Sequence, residues 1–240
     1  MQSMQRRLVT AGMLALIAGG AQADVYTDEV GDIHSNITGA DILDIASVEV
    51  TNDANFIYFA ISVTGDLDAV NWGKYLIGMD TGRNVGENSN PWGRNVDFGR
   101  GITDFVGSWA NDGGSGAGAE LYAWNSGWGL TDSTYGAGTE IMGDDADHSS
   151  GIQRIAVSLA ALGLGNGDVL EFDIISTGGG GADSGIDHLS RLDSATDWWT
   201  NQSLSGQFLS YTIQVVPLPS SAMAGLLGLG GLAAFQRLRR

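Results

Sequence analysis

The chain contains no cysteine. No disulfide can brace it, so its fold must be held by a core or by a bound metal. Histidine is nearly as scarce. His34, His148 and His188 are the only three, and none has the spacing of a zinc site. There is no Gly-x-Ser-x-Gly elbow and no phosphate-cradling loop. Gly163-Leu164-Gly165-Asn166-Gly167 lacks the strand-to-helix setting of a dinucleotide site. Two suitably spaced carboxylates can hydrolyse a glycoside, but 28 acidic residues single out no pair. The expectation is a protein that is not an enzyme. Basic residues are few, 11 against 28 acidic. That balance excludes nucleic acid, whose phosphates need a basic patch, and argues against adsorption to anionic lipid. No segment carries a sustained helical stripe, and no repeat of fixed period is present.

The two ends differ from the body. Arg6 and Arg7 precede an apolar run from Leu8 to Ile17, and Ala21-Gln22-Ala23 follows with small residues at its first and last positions. This is the pattern of a secretory signal peptide over residues 1–23, cut after Ala23 by recognition of Ala21 and Ala23. At the other end Val216-Pro217-Leu218-Pro219-Ser220-Ser221 leads into an apolar, glycine-rich stretch, Ala222 to Phe235, and then Gln236-Arg237-Leu238-Arg239-Arg240. The stretch falls short of the ~20 residues that span a bilayer comfortably. Its glycines make it a poor autonomous helix, and the arginines favour the cytoplasmic side. A C-terminal core helix with a solvated basic end is the alternative. The order of proline motif, apolar segment and basic end resembles the PEP-CTERM class of sorting tails, with Pro217-Leu218-Pro219 where that class usually has Pro-Glu-Pro. The resemblance implies that residues 216–240 are a sorting tail. Pro217, Leu218, Pro219, Arg237, Arg239 and Arg240 would be its signature and an exosortase-type membrane protease its partner. It further implies export to the cell surface or extracellular matrix of a Gram-negative bacterium, with a transient inner-membrane anchor. The body between the two ends keeps six basic residues against all 28 acidic ones, a net charge of −22. Such a charge favours solubility and attracts divalent cations.

Residues 24–215 form one domain by size and an all-β one by pattern. From Asn55 to Val63, Ile57, Phe59, Ile61 and Val63 point one way and Phe56, Tyr58 and Ala60 the other, which predicts a central strand covered on both faces. Strands with one exposed face are predicted around Ile155–Leu159, Leu170–Ile174 and Leu209–Val215. Further strands are predicted at Ala46–Val50, Lys74–Asp80, Ile102–Ser108 and Glu120–Trp124, with a short helical turn within Ser158–Leu164. Asn52-Asp53-Ala54-Asn55, Asp80-Thr81-Gly82 and Gly165-Asn166-Gly167-Asp168 carry turn chemistry. Gly113–Gly118 and Gly178–Gly181 are too long for tight turns and are read as mobile loops. The predicted fold is an antiparallel β-sandwich, flanked by an N-terminal signal helix and a C-terminal hydrophobic sorting helix. The succession Asp41-Ile42-Leu43-Asp44-Ile45, Val48-Glu49-Val50-Thr51-Asn52-Asp53, Phe56-Ile57-Tyr58-Phe59-Ala60-Ile61 and Trp72-Gly73-Lys74-Tyr75-Leu76-Ile77-Gly78-Met79-Asp80-Thr81 resembles the opening half of family 9 carbohydrate-binding modules and the wider DOMON-like sandwiches. It implies a jelly-roll-like sandwich, often with a structural calcium ion and sometimes a sugar site.

Seven tryptophans stand out. Sugar rings stack their C–H faces on indole while Asn, Asp, Arg and Gln bond their hydroxyls. Trp92 with Arg94, and Trp124, Asn125 and Trp128, fit that chemistry and are the candidate ligands of an extracellular polysaccharide. Core packing is the alternative for these tryptophans and the favoured role for Trp72 and one of Trp198 and Trp199. Calcium takes six to eight oxygens, and Asp24, Asp28, Asp32 and Asp41 are its candidate ligands, with Asp44 close by. Asp144-Asp145-Ala146-Asp147-His148 reads as a solvated loop. Asp183 to Arg191 mixes acid, His and Arg and reads as a hydrogen-bonded surface loop.

Overall fold

The computed structural model describes residues 23–110 and 117–215. The signal segment with Ala21, the sorting tail with Pro217, Leu218, Pro219, Arg237, Arg239 and Arg240, and both terminal helices expected of them lie outside the described residues.

Strands dominate. They are β1 (Asp24–Thr27), β2 (Ile45–Asn52), β3 (Phe56–Val63), β4 (Lys74–Asp80), β5 (Val96–Asp97), β6 (Asp104–Trp109), β7 (Ala119–Trp124), β8 (Trp128–Ser133), β9 (Ile141–Asp144), β10 (Ile152–Ser158), β11 (Val169–Thr177), β12 (Gly185–His188), β13 (Ser203–Leu204) and β14 (Leu209–Thr212). One helical turn, α1 (Leu159–Leu162), follows β10. Ser158 caps it by accepting the Ala161 N–H, and Gly163 ends it at φ 68°, a left-handed conformation that glycine adopts freely.

A five-stranded antiparallel sheet runs β1-β2-β3-β10-β9. A second antiparallel sheet runs β12-β11-β4-β6-β7-β8, and β14 joins β11 on the edge that β12 uses at its other end. A short parallel pair, β5 and β13, is hydrogen-bonded into neither ladder and packs on the outer side of the second sheet. The two large sheets share one core. Val48, Val50, Ile57, Phe59, Ile61, Ile155 and Val157 of the first meet Tyr75, Ile77, Met79, Val106, Leu170, Phe172 and Ile174 of the second. Each such side chain contributes about 1.5–3 kcal/mol by leaving water. Polar ties cross the same space: Gln153 donates to Ser108 (2.9 Å), Tyr75 to the Ile42 carbonyl (2.5 Å) and Ser176 to the Leu43 carbonyl (2.6 Å).

A second apolar cluster lies on the far side of the second sheet. Leu76, Phe105 and Ile175 are covered there by Val96, Phe98, Ile102 and Phe208. β11 is therefore buried on both faces along much of its length, whereas its alternation predicted an exposed side. β3 is central as expected, but its outer face is only half-buried. Among the described residues no layer covers that side, because the loops that fold back fold over the second sheet. β14 keeps its predicted exposed face. The Gly178–Gly181 loop is held rather than free: Arg94 donates to the carbonyls of Gly178 and Gly180, and Lys74 to that of Gly179.

Candidate functional site

Three carboxylates from distant segments converge at one seam of the domain. Asp32 comes from the loop after β1, Asp44 from the end of the 3-10 turn at Asp41–Leu43, and Asp187 from β12. One oxygen of each lies within 4.8 Å of the others. Calcium binds oxygen at about 2.3–2.6 Å, so two of its ligands are at most about 5 Å apart, and the cluster fits a shared cation. The backbone fixes two of the three. Asp44 accepts the Gly31 N–H on both oxygens (3.1 Å each), and Asp187 accepts the N–H of Ile45 (2.7 Å) and of His188 (2.8 Å). Asp187 thereby ties β12 of one sheet to the start of β2 in the other. Asp32 differs: both of its oxygens are shielded from solvent and accept from no other described residue, and one oxygen of neighbouring Asp28 is in the same state.

Burial and mutual repulsion perturb the group. The Asp187 carboxyl is pushed up to about 8, first by burial and then by the neighbouring charges of Asp28 and Asp32. Asp28 is pushed up to about 7, first by burial and then by Asp32, Asp173 and Asp44. Asp32 is also raised, by burial and by Asp44. Buried like charges are costly unless a cation or protons neutralise them. Hard oxygen donors without a basic partner suit a hard divalent ion.

Of the residues expected to hold calcium, Asp28 and Asp32 lie at this centre. Asp24 sits on β1 opposite Val50. Asp41 is exposed and uses its backbone carbonyl to accept from Asp44, Gly65 and Thr64. Asp187 belongs to the segment read as a surface loop, yet it is 2% exposed and its neighbour His188 fully buried. His188 bridges Asp173 (3.2 Å) and Ser203 (2.9 Å). These are the residue types of a hydrolytic triad, but all three are sealed at 0% exposure, and Ser203 also accepts the Gly185 N–H. Their visible role is to fix β12 and β13 against β11.

The candidate sugar residues form a second assembly, on the outer face of β6, β7 and β8. Trp92 lies against Trp109 (ring centroids 4.6 Å apart) and Phe105 (5.9 Å). Phe105 in turn meets Trp128 (6.2 Å), and Trp128 meets Trp124 (5.4 Å). Trp92, Trp109, Trp124 and Trp128 are all half-buried and offer ring surface to solvent on either side of Phe105, which is buried between them. Glu120 orients it by accepting from the Trp92 indole (2.9 Å) and from the Tyr122 hydroxyl (2.8 Å). Asn125 is exposed at the tip of the β7–β8 hairpin. Arg94 is almost buried. Its guanidinium lies 6.0 Å from the Trp92 ring and holds the Gly178–Gly181 loop from below. On the far side of that loop Trp72 and Trp199 pack edge to face at 6.1 Å. With Asp183 and Gly179 they line an open cleft of about 340 Å³. Both rest on the core as expected for Trp72 and one of the Trp198–Trp199 pair, and they also face solvent.

No protein-family model matches the chain, and no curated protein matches it.

Proposed function

We propose that the protein is an exported, non-catalytic β-sandwich of jelly-roll-like form that binds polysaccharide at the cell surface or in the extracellular matrix. The observation that carries this reading is the set of half-exposed indoles Trp109, Trp92, Trp128 and Trp124, linked through the buried Phe105 ring, with Glu120 and Asn125 beside them and Arg94 beneath. Flat C–H faces of successive sugar rings stack on such a run, and the flanking polar groups take their hydroxyls. The signal pattern at residues 1–23 and the tail at 216–240, with its exosortase-type partner, support the destination. The acidic centre supports a structural calcium ion held by Asp32, Asp44 and Asp187 with Asp28 beside them. That ion would supply charge neutralisation at the seam between the two sheets.

A second reading is favoured by the same centre: a calcium-stiffened matrix protein that acts by abundance and has no discrete sugar site. Titration of the calcium-loaded protein with a panel of soluble glycans separates the two. The binding reading expects saturation by one glycan class. It also expects Trp92→Ala or Trp128→Ala to lose about 2 kcal/mol, roughly 30-fold in affinity, in variants whose melting curves show them still folded at the titration temperature. A midpoint raised by calcium with no saturable glycan leaves the second reading standing and removes the first.

A further inference from the structure

The outer face of the five-stranded sheet holds a recess that the tryptophan face does not share. It is an open trough of about 530 Å³, within the ~300–1,000 Å³ usual for ligand sites. Strand register builds it. Tyr58, Ala156 and Met142 lie side by side across β3, β10 and β9. One pleat along, Glu49, Ala60, Arg154 and Asp144 do the same across four strands. The two alanines leave a low apolar floor between taller neighbours. Tyr58 forms a wall whose ring is fixed in advance, because its hydroxyl donates to Asp53 (2.8 Å), which also accepts the N–H groups of Asn55 and Phe56.

The charge of the trough is one-sided. Arg154 is already neutralised by Asp147, which takes both its Nε and Nη2 (2.9 and 2.7 Å). Glu49 is exposed and makes no hydrogen bond or ion pair among the described residues, and Asp144 is exposed at the opposite end of the same row. Three strand spacings put the backbones that carry these two carboxylates about 14 Å apart. An apolar floor, one rigid aromatic wall and an exposed carboxylate at each end, Glu49 unpaired among the described residues and Asp144 accepting only the Ala146 N–H (3.0 Å), suit an extended ligand with a flat C–H face and positive charge at intervals.

We propose that this trough is a second glycan site, selective for amino-sugar polymers that carry free ammonium groups. Tyr58 stacks one ring, and Glu49 and Asp144 take ammonium groups on either side. Exposed charge pairs are weak singly, so the floor and the fixed tyrosine supply most of the affinity. The site stands independently of the tryptophan face.

The test is titration of the calcium-loaded protein with a glucosamine hexamer and its N-acetylated counterpart at physiological salt. The expected result is saturable binding of the free amine form and weaker binding of the acetylated one. Tyr58→Ala should lower affinity about tenfold, Ala60→Trp, which fills the trough from its floor, at least as much, and Glu49→Gln about threefold. Trp92→Ala should leave it unchanged, and melting curves confirm that each variant is folded. The proposal is overturned by an absence of saturable binding, by equal binding of the two oligomers, or by binding that survives Ala60→Trp in the folded variant. The last is the signature of diffuse attraction to an acidic surface. Loss on Trp92→Ala moves the ligand to the other face and overturns it too.

Discussion

Asp32 puts two carboxylate oxygens where neither solvent nor a protein donor reaches them. Such a group takes up a proton or a cation. The folded pKa values of Asp28 (about 7) and Asp187 (about 8) stand above the ordinary 3.8. Without metal the folded state therefore holds protons that the unfolded chain releases. The stability this confers is complete below about pH 4 and is lost as pH rises through 7 and 8. In chelator the melting midpoint should fall across that window. Calcium at a hundred times its dissociation constant should restore about 2.7 kcal/mol, or roughly 5–10 °C for a domain of this size. The gain should be largest near pH 8 and shrink towards pH 5 as protons compete. Asp32→Asn should abolish most of that response while leaving the chelated protein at least as stable as before, because one member of the repelling cluster is removed, and calorimetry with and without calcium would show both. Asp28 and Asp32 were legible as candidate ligands because they cluster in an irregular stretch. Asp187 was not, because its polar neighbours Asp183, Ser184, His188 and Arg191 disguise a buried strand as a loop.

Two glycines make the outer layer of the second sheet possible. Gly78 on β4 and Gly107 on β6 point away from the shared core, and a Cβ on either would overlap the ring seated on it, Phe98 at Gly78 and Trp92 at Gly107. The tryptophan run depends on the second seat. Gly107→Ala should displace the Trp92 indole, shift the tryptophan fluorescence and lower glycan affinity about tenfold, although no ligand touches Gly107. Overpacking of this kind costs about 1–3 kcal/mol. Gly78→Ala should cost a similar amount of stability through Phe98 but leave glycan affinity intact, and the contrast between the two variants is the measurement. The pattern showed β3, β4 and β7 closely, since each carries a run of apolar and aromatic residues bounded by polar or turn-forming ones. It missed β8, β9 and β12, where Gly129, Gly143 and Gly185 interrupt short strands and pairing with a neighbour, not propensity, sets the conformation. It also misjudged how the faces are covered. Alternation records which side chains are apolar, and nothing local records that the loops around Phe98 and Phe208 fold over one sheet and leave the other bare.

Across the whole molecule the body's net charge of −22 opposes compaction. The acidic residues are spread over many loops, so the repulsion is long-ranged at low ionic strength and screened within about 10 Å at 0.1 M salt. Raising sodium chloride from 0.01 to 0.5 M in chelator should relieve about 1 kcal/mol of it and lift the midpoint by roughly 2–4 °C. Calcium at micromolar to millimolar levels should exceed that effect at a fraction of the ionic strength, because it acts at one place. A calcium response no larger than that of equal ionic strength would argue against a discrete centre.

The seam at which Asp32, Asp44 and Asp187 meet also sets an order of events in time. A chain leaves the ribosome, or a membrane pore, N-terminus first. Asp28 and Asp32 emerge at the beginning, and β12, which carries Asp187, only when the second sheet is almost complete. The centre is closed by a long-range contact of the kind that forms late. A cation that needs all three carboxylates has nothing to grip in a half-emerged chain. On the proposed calcium reading, its capture would mark a finished domain and would not start one.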